Sequence, residues 1–144
     1  MFRKILYPTD FSDGSKKAVD YLIQLKEAGT EEVVILNVVD TRSLHIPEIY
    51  GIAGLSMLGE KQADAAIISA NEVAKILNNA GIKTIIKIGK GIPLTEILRV
   101  EKEEDVSLIV IGSHGTSNVK EMLLGSVTEK VVRKAEKPVL IVKR

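Results

Sequence analysis

The sequence predicts a three-layer α/β fold, one open parallel sheet of five strands with helices on both faces. Three observations predict it. Short β-branched runs alternate with stretches of helical period along the whole chain. The runs are apolar almost without a break, as suits parallel strands covered on both sides. The resulting order β-α-β-α-β-α-β-α-β fits right-handed crossovers between neighbouring parallel strands.

The elements follow in turn. Strands are expected at residues 4–7, 33–39, 84–88, 108–111 and 139–142. The first helix carries Ala18, Val19, Leu22 and Leu25 at helical spacing, with Ser12 as its N-cap and Gly29 just past its end. The second carries Ala63, Ala66, Ile67, Ala70, Val73 and Leu77 and stops at Asn79-Ala80-Gly81. The third opens with Pro93, whose fixed φ suits a first helical position, and carries Leu94, Ile97 and Leu98. Its charged end, residues 101–105, reads as a solvated face. The fourth carries Val127, Val131 and Ala135 and stops before Pro138. Residues 41–59 fit no period. With Pro47, Gly51, Gly54 and Gly59 they read either as a functional loop or as a surface excursion holding a short helix.

Composition narrows the function classes. The 144 residues, expected to form one domain over 1–144, can bury about two-thirds of their unfolded surface, so no staple is needed. Without Cys there is no disulfide, thiol nucleophile, iron–sulfur cluster or Cys-ligated zinc. With only two His, one of them His45 in the irregular stretch, a zinc site is not expected. Twenty Lys and Arg against 19 Asp and Glu give no reason to expect nucleic acid or an anionic membrane as partner. The first apolar run ends at Pro8, too short for a secretory signal, and no run approaches the roughly 18 residues of a membrane span. A soluble, cytoplasmic protein is expected.

In open α/β sheets ligands sit beyond the carboxyl ends of the strands. Strand one is followed by Pro8-Thr9-Asp10-Phe11-Ser12 and strand four by Gly112-Ser113-His114-Gly115. Nine residues later Gly125-Ser126 opens the last helix. Glycines let a backbone approach an anion closely. A helix start supplies free N–H groups and the positive end of a dipole, and the Ser126 and Thr128 hydroxyls can add hydrogen bonds. The same glycines also serve plain turns.

The full spacing G-x2-G-x9-G-[ST], met by Gly112, Gly115, Gly125 and Ser126, resembles the nucleotide-binding signature of the universal stress protein family. Lys4–Ser12, Asn37-Val38-Val39-Asp40, Gly91-Ile92-Pro93 and Pro138–Val142 resemble other parts of that family, so the likeness covers nearly the whole chain. It is nearest the small single-domain, ATP-binding branch. The resemblance implies a Rossmann-like sheet of order 3-2-1-4-5, with strands one and four side by side at the switch point. It places Asp10 at the ribose or the metal–phosphate region and a backbone group of Val38 at adenine. It places Gly112, Gly115, Gly125, Ser126 and Val127 around ribose and phosphates. Pro8, Thr9, Ser113, His114 and Thr128 complete the expected set. ATP is the expected ligand, with Mg²⁺ or Mn²⁺ carried by its phosphates. Asn37, where the family often has His, lies next to the site. The family also joins last strands across a two-fold axis, which implies a homodimer through Val139–Val142, an apolar edge strand.

Plainer roles stand beside these. Asp10 can cap the first helix or hold a turn. Ser126 can be an N-cap. His114 lacks a visible carboxylate to orient it and reads as a solvated loop histidine rather than a general base. Lys120 reads as a surface charge. No Walker A lysine pattern is present and no arginine lies near the glycine segment in sequence, so fast phosphoryl transfer is not expected. No residue is assigned a catalytic or metal-ligating role. The expected function is a nucleotide-dependent regulatory switch acting on a client protein. The alternative is a Mg²⁺-dependent ATP hydrolase or phosphotransferase at the same site. A receiver-type signalling domain would need an Asp after strand three, where Gly89-Lys90 stands instead.

Overall fold

A computed structural model of the chain describes residues 1–12, 14–41, 51–113 and 124–143. The strands are β1 (Lys4–Pro8), β2 (Glu32–Asp40), β3 (Lys83–Gly91), β4 (Leu108–Gly112) and β5 (Val139–Val142). The helices are α1 (Gly14–Leu25), α2 (Gly51–Asn79), α3 (Pro93–Glu103) and α4 (Ser126–Lys134). A short 3₁₀ turn, Lys26–Ala28, follows α1. The sheet is parallel in the order β3-β2-β1-β4-β5, as expected.

Alternate residues of the strands feed two separate cores. On one face Ile5, Tyr7, Val33 and Ile35 pack with Ala18 and Leu22 of α1 and Ala70, Ala74 and Leu77 of α2. On the other Leu6, Val34, Leu36, Ile109 and Ile111 pack with Ile97 and Val100 of α3 and Val131 of α4. Burial on both faces explains why the strands read as continuous apolar runs. It also fixes the route of the chain. The crossovers after β1 and β2 lie on one face, and those after β3 and β4 lie on the other.

Helix ends follow local chemistry. Gly29 takes the left-handed φ of 99° that closes the turn after α1, and its N–H donates to Lys26 O. Gly81, at φ 87°, plays the matching part after α2. Pro93 stands in the first turn of α3.

Four expectations change. The α2 helix starts at Gly51, so the stretch read as aperiodic is helical from there; residues 42–50, with His45, lie outside the described residues. Its glycines lower helix propensity without forbidding the helix. The β3 strand continues through Gly89-Lys90-Gly91, pairing with β2 as far as Asp40↔Gly91. Glu96 of α3 packs beside both glycines at ordinary contact distance, and Gly91 takes a φ of 143°, which side-chain-bearing residues rarely adopt. Ser12 does not adjoin α1, which starts at Gly14; its N–H donates to Asp10 Oδ1 instead. The charged end of α3 is not wholly solvated either. Glu101, beside Val100 on the inward stripe, is 1% exposed and accepts the N–H groups of Glu136 and Lys137.

Candidate functional site

The β1 and β4 strands pair side by side, and the chain leaves them to opposite faces, to α1 after β1 and to α4 after β4. That divergence opens a crevice beyond their carboxyl ends, the usual ligand position in such sheets. Three pieces of backbone converge on it.

The first is the turn after β1. Pro8 ends the strand opposite Leu36. Thr9 N–H donates to Leu36 O at 2.9 Å, the last rung toward β2. Thr9 O accepts the Asn37 side-chain amide at 2.8 Å. Thr9 Oγ1 accepts Phe11 N–H at 2.9 Å, and Asp10 Oδ1 accepts Ser12 N–H at 3.0 Å. Phe11 takes a φ of 60°, which turns the chain sharply out of the sheet plane. One oxygen of Asp10 therefore holds the turn, while the residue as a whole is exposed.

The second is the overhang of β2. It continues four residues beyond Leu36, where its pairing with β1 ends. In a parallel strand the N–H and C=O of one residue face the same neighbour, and alternate residues face the same side. Leu36 faces β1, so Val38 does too. Its N–H and C=O point into the space past the end of β1. They form an adjacent donor and acceptor on a rigid strand.

The third is the start of α4. Gly112 closes β4, and Ser113 N–H extends the ladder to Val142 O at 2.9 Å. Gly125 N–H donates to Ser113 O at 2.7 Å, and Thr128 Oγ1 donates to Gly112 O at 2.8 Å. These two bonds clamp the helix start to the strand end. Ser113 and Thr128 are buried by it, at 3% and 4% exposure. Gly125 is the N-cap, so Ser126 is the first helical residue and does not cap. The first N–H groups of a helix have no acceptor within it, and Ser126 and Val127 supply two here. The Ser126 residue is exposed, whereas the hydroxyl proton of Thr128 is committed to Gly112.

The structure thus brings Pro8, Thr9, Asp10, Val38, Gly112, Ser113, Gly125, Ser126, Val127 and Thr128 to one end of the sheet. His114, Gly115 and Lys120 lie outside the described residues. The Asn37 amide is a site feature that strand pattern alone does not reveal, because its partner lies 28 residues earlier. The opposite end of the sheet carries a cleft of about 820 Å³ lined by Arg3, Lys4, Glu31, Glu32 and Glu104 among others. Within it Arg3 pairs with Glu31 and Lys4 with Glu104, each at 2.8 Å. No helix among the described residues is long and apolar enough to cross a membrane.

Comparison with known proteins agrees with this frame. The model of the universal stress protein family matches residues 1–143. Universal stress protein MJ0577 of Methanocaldococcus jannaschii is 40% identical over 156 residues, covering 100% of this chain and 96% of that protein. Universal stress protein YxiE of Bacillus subtilis is 38% identical over 152 residues, covering 99% and 100%. The solved structure of MJ0577 matches with a TM-score of 0.89 at 41% identity, over 100% of this chain and 97% of that one. A universal stress protein solved in complex with cAMP shares the fold, with a TM-score of 0.70 at 23% identity over 99% and 97%.

Proposed function

The chain belongs to the universal stress protein family, and from that premise we propose that it is an ATP-binding regulatory protein of the stress response. The observation that carries the reading is the β2 overhang. The N–H and C=O of Val38 match the Watson–Crick edge of adenine, whose N1 accepts and whose 6-amino group donates. Guanine offers the opposite pair at those positions and leaves both backbone groups unsatisfied.

A base held there sets the ribose beside the Asp10 turn and the phosphates toward Gly125, Ser126 and Val127. Backbone N–H groups and the helix dipole favour phosphate at that point. Gly112, Gly115, Ser113 and His114 belong to the segment that would close over the ribose and phosphates. Thr128 contributes by clamping α4 to β4. Among the described residues no three His, Cys, Asp or Glu gather into a metal site. A Mg²⁺ or Mn²⁺ ion would therefore take most of its ligands from the phosphates, with the Asp10 carboxylate nearby.

The assembly suits holding a nucleotide more than splitting it. Its described parts offer hydrogen bonds and one carboxylate, with no arginine beside them to stabilise a transferring phosphoryl group. Bound ATP would engage the glycine segment and so set which client docks. A second copy would pair along β5 at the sheet edge, giving a cytoplasmic homodimer.

The test is the nucleotide that leaves the purified protein on denaturation, identified by mass spectrometry. ATP released by the wild type and absent from Gly115→Leu supports the site. Equal ATP in both removes the glycine segment from it. Steady ADP release abolished by Asp10→Ala would favour the hydrolase reading instead.

A further inference from the structure

We propose that Asn37 is a positioning residue of the nucleotide site, its side-chain amide latching the turn that holds Asp10 at the crevice. The functional half of this rests on the nucleotide reading above; the mechanical half rests on local geometry.

Both sides of Thr9 are tied to β2. Its N–H donates to Leu36 O at 2.9 Å, and its C=O accepts Asn37 Nδ2 at 2.8 Å. The second bond fixes the plane of the peptide that joins Thr9 to Asp10, and so the direction in which Asp10 leaves the strand. The following turn stores cost. Phe11 stands at a φ of 60°, unusual for a bulky residue, and such backbone persists only where its surroundings over-determine it. The Thr9 hydroxyl on Phe11 N–H and the Asp10 carboxylate on Ser12 N–H supply part of that constraint. Both are local bonds within the turn. The Asn37 amide ties the turn to the sheet by a side chain.

The latch needs a donor at residue 37, because a carbonyl only accepts. Leucine has nearly the same shape without a donor. Histidine restores an N–H on a longer side chain. Asn37 itself touches no nucleotide in this scheme; it acts through Asp10.

The experiment joins amide hydrogen exchange of the ligand-free protein to calorimetric titration with MgATP. It uses the wild type, Asn37→Leu, Asn37→His, Asp10→Ala and the Asn37→Leu/Asp10→Ala double variant. In Asn37→Leu the amides of Phe11 and Ser12 are expected to lose protection while those of the core strand β2 keep theirs. The MgATP dissociation constant is expected to rise about tenfold, the loss of one good hydrogen bond's worth of positioning. Asn37→His should recover most of both. Because the two residues act in series, the double variant should bind no more weakly than Asp10→Ala alone. Wild-type protection at Phe11 and Ser12 in Asn37→Leu overturns the latch. Losses that multiply in the double variant overturn its action through Asp10. A wild type that binds no MgATP overturns the nucleotide reading, and exchange then decides the latch alone.

Discussion

Near the end of α3 the carboxylate of Glu101 is sealed from solvent and spends its oxygens on the backbone. Its Oε2 accepts the N–H groups of Glu136 and Lys137, both at 3.1 Å, in the turn that leads into β5. Those two bonds replace the water that the buried carboxyl group has lost. Glu101→Ala should leave two N–H groups without acceptors and cost about 1–3 kcal/mol in urea unfolding. Glu101→Gln, which keeps one oxygen, should cost less. Equal stability of wild type and Glu101→Ala would show that water satisfies that turn. Within a run of charges the sequence offers no sign that this residue differs from its neighbours. Only the helical stripe through Ile97 and Val100 turns it inward, and tertiary packing supplies its partners from 35 residues away. Asn37 escapes a reading of strand pattern for the same reason.

Among the elements, the strands were the most legible. Two-sided burial leaves apolar runs that need no further signal, and Gly29, Gly81 and Pro93 mark helix ends by backbone chemistry alone. Glycine misled where it stood inside an element. In β3 it ended the apparent strand three positions early, at 88 instead of Gly91, although Gly89 and Gly91 stand within the ladder to β2. In α2 three glycines hid the first turns of a 29-residue helix. At the candidate site, the glycine spacing and Asp10 were visible in the sequence, whereas the overhang of β2 past β1 depends on register and was not. The β5 strand carries a prediction at this scale. It is the sheet edge beside β4, and Leu140 on it is 37% exposed. An apolar edge strand invites pairing. For the homodimer proposed through β5, Leu140→Glu should give a monomer by light scattering with an unchanged circular dichroism spectrum. A folded variant that remains dimeric would place the interface elsewhere.

Across the whole molecule the two ends of the sheet have different tasks. A charged cluster around Glu104 ties β1 and β3 to the end of α3. Lys4 Nζ lies 2.8 Å from Glu104, and Lys87 Nζ lies 2.8 Å from the other oxygen of the same carboxylate. The Lys4 hydrogen bond first, and then that of Lys87, hold the Glu104 carboxyl below its ordinary value of 4.5. Glu104 in turn raises the Lys4 ammonium above 10.5. A depressed carboxyl adds stability above its unfolded value and loses it as pH falls through the folded one. A raised ammonium adds stability below its unfolded value and loses it as pH rises through the folded one. The cluster therefore contributes fully near neutrality and fades below about pH 4.5 and above about pH 10.5. Glu104→Gln should lower stability at pH 7 by about 1 kcal/mol or less, with the gap to wild type closing toward pH 3. A gap that persists at pH 3 would assign the effect to packing.

The carboxyl ends carry polar backbone, an exposed carboxylate and a helix start, and they are where the nucleotide is proposed to bind. Calorimetric titration of one protein sample with MgATP and with MgGTP tests this most directly. The paired N–H and C=O of Val38 predict saturable binding of MgATP at one site per chain, with MgGTP weaker by at least tenfold, about 1.4 kcal/mol. Equal affinity for the two, or no heat with either, would contradict the account.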